Sequence, residues 1–383
     1  MKKTLLISLS ALLLVVVVFV VTKQMSFFKN RTNQPAVASK AKIKANVPAP
    51  GKQSAPEETS KQPDPAEIKA IGIYTTAWVA GSTKRMDELI QFIKDTKMNS
   101  IVIDIKDDTG MLSYPSTVPL AQEIGATSKR IPNLKELVAR LKKENIYTIA
   151  RQVVFKDPLF ATKHTEIAVR DKNGSFWRDR KGMIWVDPHS EKVWKYNLDI
   201  AKEAIAMGFS EIQFDYVRFL SDGKISNAVY PFSKGELKED VIRNFLLYTK
   251  KDINALGVPL SADIFGLVLT FPHDNNIGQK LEKIAEGVDI ICPMVYPSHY
   301  PKGTFDIKVP DLKPYEVIDF AMKDGIKRVP LSKVKYRPWI QDFDLGSSYG
   351  RDQIQAQIKA LKDNGIEEYL IWNPRNRYDA SKY

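Results

Sequence analysis

Cysteine is almost missing from this chain of 383 residues, in which Cys292 is the single one. One cysteine excludes an intrachain disulfide framework and a cysteine-rich zinc site. No glycine-rich phosphate loop follows the first predicted strand, which argues against a dinucleotide-binding sheet. Cys292 precedes Pro293 in an apolar run, so we expect it to be a buried structural thiol.

The chain has little net charge outside its first 70 residues. Of the formal charge of +12, residues 1–70 contribute +7, from 11 Lys/Arg and 4 Asp/Glu. The rest of the chain has neither a basic helix nor a basic stripe interleaved with aromatic residues. The basic excess therefore does not indicate a nucleic-acid partner.

The N-terminal segment is the one long apolar run. Lys2 and Lys3 precede Thr4–Thr22, 19 uncharged residues that as a helix would span roughly 28 Å, close to the thickness of the hydrocarbon core. No small-residue cleavage site follows directly, so we predict a retained signal anchor over residues 1–22. The layout predicts a single-pass protein of the cell membrane with its main domain outside the cytoplasm, or a secreted protein if the segment is cleaved.

Residues 23–69 are rich in Lys, Pro, Ala, Ser and Gln and have no apolar periodicity. This composition predicts a disordered, semi-extended linker that holds the remaining domain away from the membrane.

From residue 70 onward, short strand-like runs alternate with amphipathic helical stretches. The predicted strands are Gly72–Thr75, Ser100–Lys106, Tyr147–Phe155, Glu211–Tyr216, Pro259–Phe265, Asp289–Tyr296, Arg328–Lys333 and Glu368–Trp372. Apolar residues with a 3.6-residue period predict seven helices between them, including 277–286, 315–323 and 351–364. Eight strands and seven helices predict an α/β protein with a (β/α)8 TIM barrel over residues 70–383.

The alternation within three strands places an aspartate on the face opposite the larger apolar residues. These aspartates are Asp104, Asp215 and Asp263, on the second, fourth and fifth predicted strands. A barrel strand turns its apolar face toward the helices, so we expect the three carboxylates to point into the barrel near its carboxyl end. Barrel enzymes have their active sites at that end.

Two carboxylates that flank a cleft can hydrolyse a glycosidic bond, since one protonates the leaving oxygen while the other attacks or activates water. Arg218, three residues beyond Asp215, is a candidate ion-pair partner that would keep Asp215 ionised. Asp263 is the candidate second carboxylate. The sequence leaves open whether the reaction retains or inverts the anomeric configuration.

Aromatic residues near strand ends are candidates for stacking on sugar rings. Trp177 is expected in a loop, and Trp372, at the end of the last strand, is placed to form the floor of a sugar pocket. Metal binding is weakly indicated: Asp104, Asp107 and Asp108 do not continue as a calcium loop. Asp187, before Pro188 and His189, fits a helix N-cap better than a metal ligand.

Several segments together carry a family resemblance. They are Gly72–Tyr74 with Trp78, 101–107, Ala150-Arg151, 185–219 and 291–297. With these segments the chain resembles the DUF4015 family, whose members are assigned to glycosidase barrels by likeness to α-glycosidases. The resemblance implies a nucleophilic Asp215 at the end of strand four. Asp263 matches the acid/base by strand position, although many such barrels have a Glu there, and Leu220 replaces an expected Pro.

The sequence and the resemblance together predict a membrane-anchored, outward-facing glycoside hydrolase that acts on a cell-surface or exported polysaccharide without a cofactor. Asp215 and Asp263 are the predicted catalytic pair. The predicted substrate-binding residues are Asp104, Arg151, Trp177, Arg218, Tyr296 and Trp372. The alternative is a catalytically inactive barrel that binds glycan as a scaffold of the cell wall or capsule. A metal-dependent deacetylase or hydrolase is a third possibility.

Overall fold

The computed structural model describes residues 68–383. The predicted anchor, residues 1–22, and nearly all of the predicted linker, residues 23–69, lie outside the described residues. Between residues 68 and 383, no helix is both long enough and apolar enough to cross a membrane.

Eight parallel strand positions close into a barrel. They are β1 (Ile71–Thr75), β2 (Ser100–Lys106), β3 (Tyr147–Val153), β4 (Glu211–Asp215), β5 (Leu260–Phe265), β6 (Ile290–Met294), the two β7 segments (Lys335–Tyr336 and Trp339–Gln341) and β8 (Tyr369–Trp372). Pairing runs in chain order around the barrel. The ring closes where β8 pairs with β1, with Tyr369 opposite Ile71.

The seven longest helices of the described residues follow strands β1 to β7, one after each strand, and cover the outside of the barrel. They are α1 (Thr83–Asp95), α2 (Leu134–Lys143), α3 (Glu191–Ala206), α4 (Lys238–Ala255), α5 (Leu281–Gly287), α6 (Pro314–Arg328) and α7 (Arg351–Asp363). The apolar periodicity lies on the buried faces; in α1 these residues are Met86, Leu89, Ile90 and Ile93. The predicted (β/α)8 barrel is therefore confirmed for the described residues.

The predicted seventh strand, Arg328–Lys333, is wrong. Arg328 ends α6, and its guanidinium donates to Glu282 and to the carbonyl oxygens of Val268, Leu269 and Phe271. The strand lies a few residues later and is split at Pro338, which cannot donate a ladder hydrogen bond. The short apolar run at the end of α6 therefore has a more strand-like sequence than the true β7 position, which the proline interrupts.

Strand alternation separates two apolar layers. Ile101, Ile103 and Ile105 of β2 pack in the large core between barrel and helices. Val102, on the other face, packs inside the barrel with Ile149 and Cys292. The expected buried thiol is thereby confirmed. This alternation is what directs Asp104 into the barrel, two residues beyond Val102.

A buried ion-pair cluster fills the opposite end of the barrel, near the strand starts. Arg337, between the two β7 segments, donates to both carboxylate oxygens of Glu211 at 2.8 and 2.7 Å and to Glu368 at 2.9 Å. Tyr147 and Ser261 donate to the same Glu211 at 3.1 and 2.5 Å. Loss of one partner from such a buried ion pair destabilises a protein strongly, because the remaining charge is left buried without compensation.

Candidate active site

Four charged side chains from four consecutive strands meet inside the barrel near the carboxyl ends of the strands. Asp104 lies on β2, Arg151 on β3, Asp215 at the end of β4 and Asp263 on β5. The ladder sets Asp104 directly beside Arg151, and Asp215 beside Val153, two residues further along β3. The register therefore brings together the three aspartates that the alternation pattern singles out.

Arg151 is the centre of this cluster. Its Nη1 donates to Asp104 Oδ1, while its Nη2 and its Nε donate to Asp215 Oδ2, the Nε bond being 3.1 Å long. The same Nε lies 3.7 Å from Asp263 Oδ2. One guanidinium thus faces three buried carboxylates, and two of them accept its hydrogen bonds.

The two candidate catalytic carboxylates have different environments. Asp215 accepts the Arg151 bonds on one oxygen and the backbone N–H of Tyr216, at 2.5 Å, on the other. Asp263 is 1% exposed and accepts one hydrogen bond, from Trp339 Nε1 at 2.7 Å. Burial raises the pKa of Asp263 well above its ordinary value, and the charge of Asp215 raises it further. The raised pKa favours the protonated form of Asp263.

Asp104 supports the cluster from its other side. The hydroxyl of Tyr74 donates to Asp104 Oδ2, opposite the Arg151 bond. Burial raises the pKa of Asp104, although Arg151 and the hydrogen bond from Tyr74 oppose that effect. Tyr74 is a supporting residue whose role the sequence did not indicate beyond its aromatic character at a strand end.

Aromatic rings line one side of the cluster. Trp372 stacks on Tyr74 at a centroid distance of 4.0 Å and an angle of 27°, and it meets Trp339 edge-on at 5.6 Å. The Arg151 guanidinium lies 5.5 Å from the Trp372 ring centre. The structure thus brings Trp372 to the carboxylates, where the sequence places the floor of a sugar pocket.

Tyr296 follows β6 and contacts Phe343 and His299 edge-on, at 5.6 and 5.3 Å. Burial raises the pKa of its hydroxyl well above the usual range, with further raising by the charges of Asp263 and Asp215. The residue is 6% exposed, and its hydroxyl forms no hydrogen bond with another of the described residues. The phenol is therefore a free hydrogen-bonding group beside the carboxylates.

The expected pairing of Arg218 with Asp215 is wrong. Tyr216, directly after Asp215, adopts a left-handed conformation with φ of 51°, so the chain turns away from the strand direction. Arg151, from the neighbouring strand, takes the place beside Asp215. Arg218 instead lies among Trp185, Tyr216 and Phe265.

Trp177 does not reach the cluster. It is 2% exposed, packs in the large core, and its Nε1 donates to the carbonyl of Lys224 at 3.0 Å. Trp177 lies in a loop, as predicted, but it is a core residue, because the loop packs beside a short two-stranded ribbon, Arg170–Asp171 with Ala228–Val229. A polar sequence context gave no sign of this covering segment.

The carboxylates considered for a metal have separate cationic partners. Asp104 pairs with Arg151, Asp107 with Arg130 and Asp108 with Lys156. The N-cap of α3 is Ser190 and not Asp187. The Asp187 carboxylate accepts hydrogen bonds from the backbone N–H groups of His189 and Phe232. Among residues 68–383, no group of three or more His, Cys, Asp or Glu side chains could hold a metal ion.

A G-x-S-x-G sequence, the motif of many serine hydrolases, does occur in residues 346–350, but it lies in the loop before α7. Ser348 there is exposed, and no hydrogen bond joins it to a histidine in the described part of the chain. This loop therefore lacks the nucleophile–base contact that such catalysis requires.

Solved structures with a similar fold include glycoside hydrolases. The chain is similar to the PgaB (BpsB) glycoside hydrolase domain from Bordetella bronchiseptica, with a TM-score of 0.59 and 12% identity over 82% of this chain and 97% of that chain. It is similar to the α-galactosidase TtGalA from Thermus thermophilus, with a TM-score of 0.51 and 13% identity over 82% of this chain and 60% of that one. At these identities the likeness concerns the barrel fold.

A hypothetical protein from Ruminiclostridium thermocellum is 38% identical over 50% of this chain and 96% of its own length, with a TM-score of 0.47. A comparison with curated proteins gave no match.

The family match gives the class of this domain, which is that of a glycoside hydrolase. Residues 72–378 match the family DUF4015, described as "Putative glycosyl hydrolase domain". The chain belongs to this family, and the family predicted from the sequence is confirmed.

Proposed function

We propose that this protein is a glycoside hydrolase that cleaves O-glycosidic bonds of a cell-surface or exported polysaccharide with Asp215 and Asp263. The strongest support is that the two carboxylates, which both lie near the Arg151 guanidinium, have different environments. Asp215 accepts two hydrogen bonds from Arg151, whereas Asp263 is buried with a raised pKa. Unequal carboxylates at the carboxyl end of a barrel are the minimum apparatus for this reaction.

In the proposed reaction, Asp263 gives its proton to the glycosidic oxygen as the bond to the anomeric carbon breaks. Asp215, which accepts hydrogen bonds from Arg151, attacks that carbon or stabilises its positive charge. A water molecule then adds to the anomeric carbon, gives its proton to Asp263 and releases Asp215. Asp104 holds the second arm of Arg151 and so fixes the guanidinium against Asp215. The reaction needs no cofactor.

Sugar binding in this proposal depends on Tyr296 and Trp372. The Tyr296 hydroxyl has no hydrogen-bond partner among the described residues. It would donate a hydrogen bond to a sugar hydroxyl or accept one from it. Trp372 presents an aromatic surface beside Arg151. Trp78, directly after β1, is 71% exposed under the Arg130 guanidinium and offers a further stacking surface at the same end of the barrel.

We further propose that residues 1–22 anchor the protein in the cell membrane as a single-pass segment, with the barrel outside the cytoplasm. The support is the apolar run Thr4–Thr22 after two lysines, followed by a proline-rich spacer. Protease treatment of intact cells should degrade the barrel and leave cytoplasmic proteins whole. A barrel that is protected until the cells are lysed would contradict this location.

The function is tested by counting new reducing ends after incubation with a panel of bacterial wall, capsule and α-linked polysaccharides. The wild type is compared with Asp215→Asn and Asp263→Asn. Asp352→Asn, at an exposed position on α7, is the matched control. We expect release by the wild type and the control on one polymer at least, and none by the two site variants. Equal release by Asp215→Asn and the wild type would contradict the proposal.

One observation favours a second candidate, a glycan-binding barrel without catalysis. Asp263 is 1% exposed and already holds a hydrogen bond from Trp339, so its carboxyl is nearly closed to solvent. The same panel separates the two candidates if binding is measured together with release. Binding of one polymer by all four proteins, with no release by any, would establish the scaffold.

A further inference from the structure

Arg218 is a buried cation without an anionic partner, close to the carboxylate cluster. It is 6% exposed, and its only hydrogen bond to a described residue goes from Nη1 to the carbonyl of Phe219 at 3.0 Å. None of the carboxylates in residues 68–383 lies within ion-pair distance of its guanidinium. A buried guanidinium normally has such a partner, because removing its charge from water is costly.

Three aromatic rings form a cage around this guanidinium. Its central carbon lies 4.8 Å from the ring centre of Phe265, 4.9 Å from that of Trp185 and 5.1 Å from that of Tyr216. Ring faces attract a cation but accept none of its five N–H groups in an ordinary hydrogen bond. The nitrogens without a partner are not among the fully enclosed polar atoms of the described residues, so they keep some contact with solvent although the residue is 6% exposed.

The nearest negative charges are engaged elsewhere. Asp215 accepts from Arg151, Asp179 from the indole of Trp185 at 3.2 Å, and Asp222 from the backbone of Arg180 at 3.0 Å. All three act on Arg218 from a distance, without contact. These charges weaken the attraction of Arg218 for an anion, but none of them occupies its free donors.

Lys156 provides an internal comparison. It is also buried and lies 5.2 Å from the ring centre of Tyr216, as Arg218 lies 5.1 Å from it. Lys156, however, donates to Asp108 at 2.8 Å. Of the two cations beside the Tyr216 ring, Lys156 is therefore paired with a carboxylate of the protein, whereas Arg218 is available to a ligand.

The position of the cage relates it to the reaction. Tyr216 directly follows Asp215, and Phe265 lies two residues beyond Asp263 on the same face of β5. Two residues along a strand span about 7 Å, a distance that one sugar ring with its exocyclic substituent can cover. A ligand of Arg218 would therefore belong to the sugar bound at the carboxylates or to its immediate neighbour.

We infer that Arg218 binds an anionic substituent of the sugar next to the bond that is cut, and that the substrate is an acidic polysaccharide. The guanidinium fork fits a carboxylate or a phosphate in two parallel hydrogen bonds. This inference rests on the proposed function where it calls the polysaccharide a substrate, but it concerns binding as well as cleavage.

The test uses matched pairs of polymers. An acidic polysaccharide that contains uronic acid is compared with its carboxyl-reduced form, and a phosphate-substituted one with its dephosphorylated form. Equilibrium binding and reducing-end release are measured for the wild type, Arg218→Gln and Arg218→Lys. Arg180→Gln, an exposed arginine of a nearby loop, removes the same charge and serves as the control.

We expect the wild type and Arg180→Gln to bind one acidic polymer roughly 10- to 100-fold more tightly than its neutral form, as for a hydrogen-bonded charge. Arg218→Gln should lose this preference while it binds the neutral form as before, and Arg218→Lys should retain part of it. The pair that shows the effect distinguishes carboxylate from phosphate.

Equal wild-type binding of the charged and neutral forms in both pairs would overturn the inference, as would a preference that survives Arg218→Gln. These outcomes differ from failure of the proposed function. That failure is the absence of release from every polymer, and the binding comparison still decides the role of Arg218 in that case.

Discussion

The indole Nε1 of Trp339 donates a 2.7 Å hydrogen bond to Oδ1 of Asp263, across the barrel interior. This bond stabilises the ionised carboxylate and therefore lowers the pKa of Asp263, against the raising by burial and by Asp215. Trp339 thus sets how firmly the proposed acid holds its proton.

Trp339→Phe should move the alkaline limb of the kcat/KM profile to higher pH. Without the N–H, the pKa of Asp263 rises further, so the protonated acid persists to higher pH. The profile is measured on a polymer that the wild type cleaves. Trp194→Phe, which removes an indole bond to the carbonyl of Pro188 on the outer layer, should leave the limb in place. A limb that moves to lower pH in Trp339→Phe would contradict the assignment.

Asp263→Asn should stabilise the fold at neutral pH while it removes activity. The folded-state pKa of Asp263 is raised, so ionisation favours the unfolded chain as pH rises above the unfolded value. The stability gain of the variant should be near zero at pH 4. It should grow with pH by up to about 1.4 kcal/mol per unit until the folded-state pKa is reached. Urea unfolding at several pH values measures this gain, and a gain that shrinks as pH rises would refute it.

Arg337→Met should destabilise the protein by about 3–5 kcal/mol, because Glu211 and Glu368 would be left as buried charges without their partner. Urea unfolding at neutral pH measures the loss. Lys359→Met breaks an exposed pair with Asp363 on α7 and should cost far less, because solvent screens that pair. Equal losses in the two variants would show that the cluster at the strand starts contributes no more than a surface pair.

Arg151→Lys should lower kcat by about 10²-fold, since a small misplacement of a catalytic group costs that much. A single ammonium cannot donate to Asp104 and to Asp215 with the geometry of the guanidinium fork. Arg140→Lys, at an exposed pair with Asp87, should keep full activity. Unchanged kcat in Arg151→Lys would mean that charge alone, without the fork, is sufficient at this position.

Much of the barrel could be predicted because its pattern is local. The alternation in β2, β4 and β5 correctly turned Asp104, Asp215 and Asp263 inward, since strand parity depends only on neighbouring residues. The β7 position escaped prediction because Pro338 divides it into two segments too short to show alternation. Trp339, which contacts Asp263, was therefore not placed in a strand.

The contacts of the site depend on register and on backbone turns, which no spacing in the sequence reveals. Arg218 is near Asp215 in the chain, yet Arg151, 64 residues away, pairs with it. The reason is the left-handed conformation of Tyr216, which redirects the chain after β4. The burial of Trp177 escaped prediction for a similar reason, since the segment that covers it lies beyond β4 in the chain.

The central claim, that Asp215 and Asp263 serve one reaction, is tested most directly by kcat/KM for Asp215→Asn, Asp263→Asn and the double variant on one cleaved polysaccharide. Residues that act as a unit are not additive. We expect each single variant to lose at least about 10³-fold in kcat/KM, and the double variant to be about as active as the less active of the two single variants. Single variants with near wild-type rates, or a double variant whose loss equals the product of two modest losses, would contradict it.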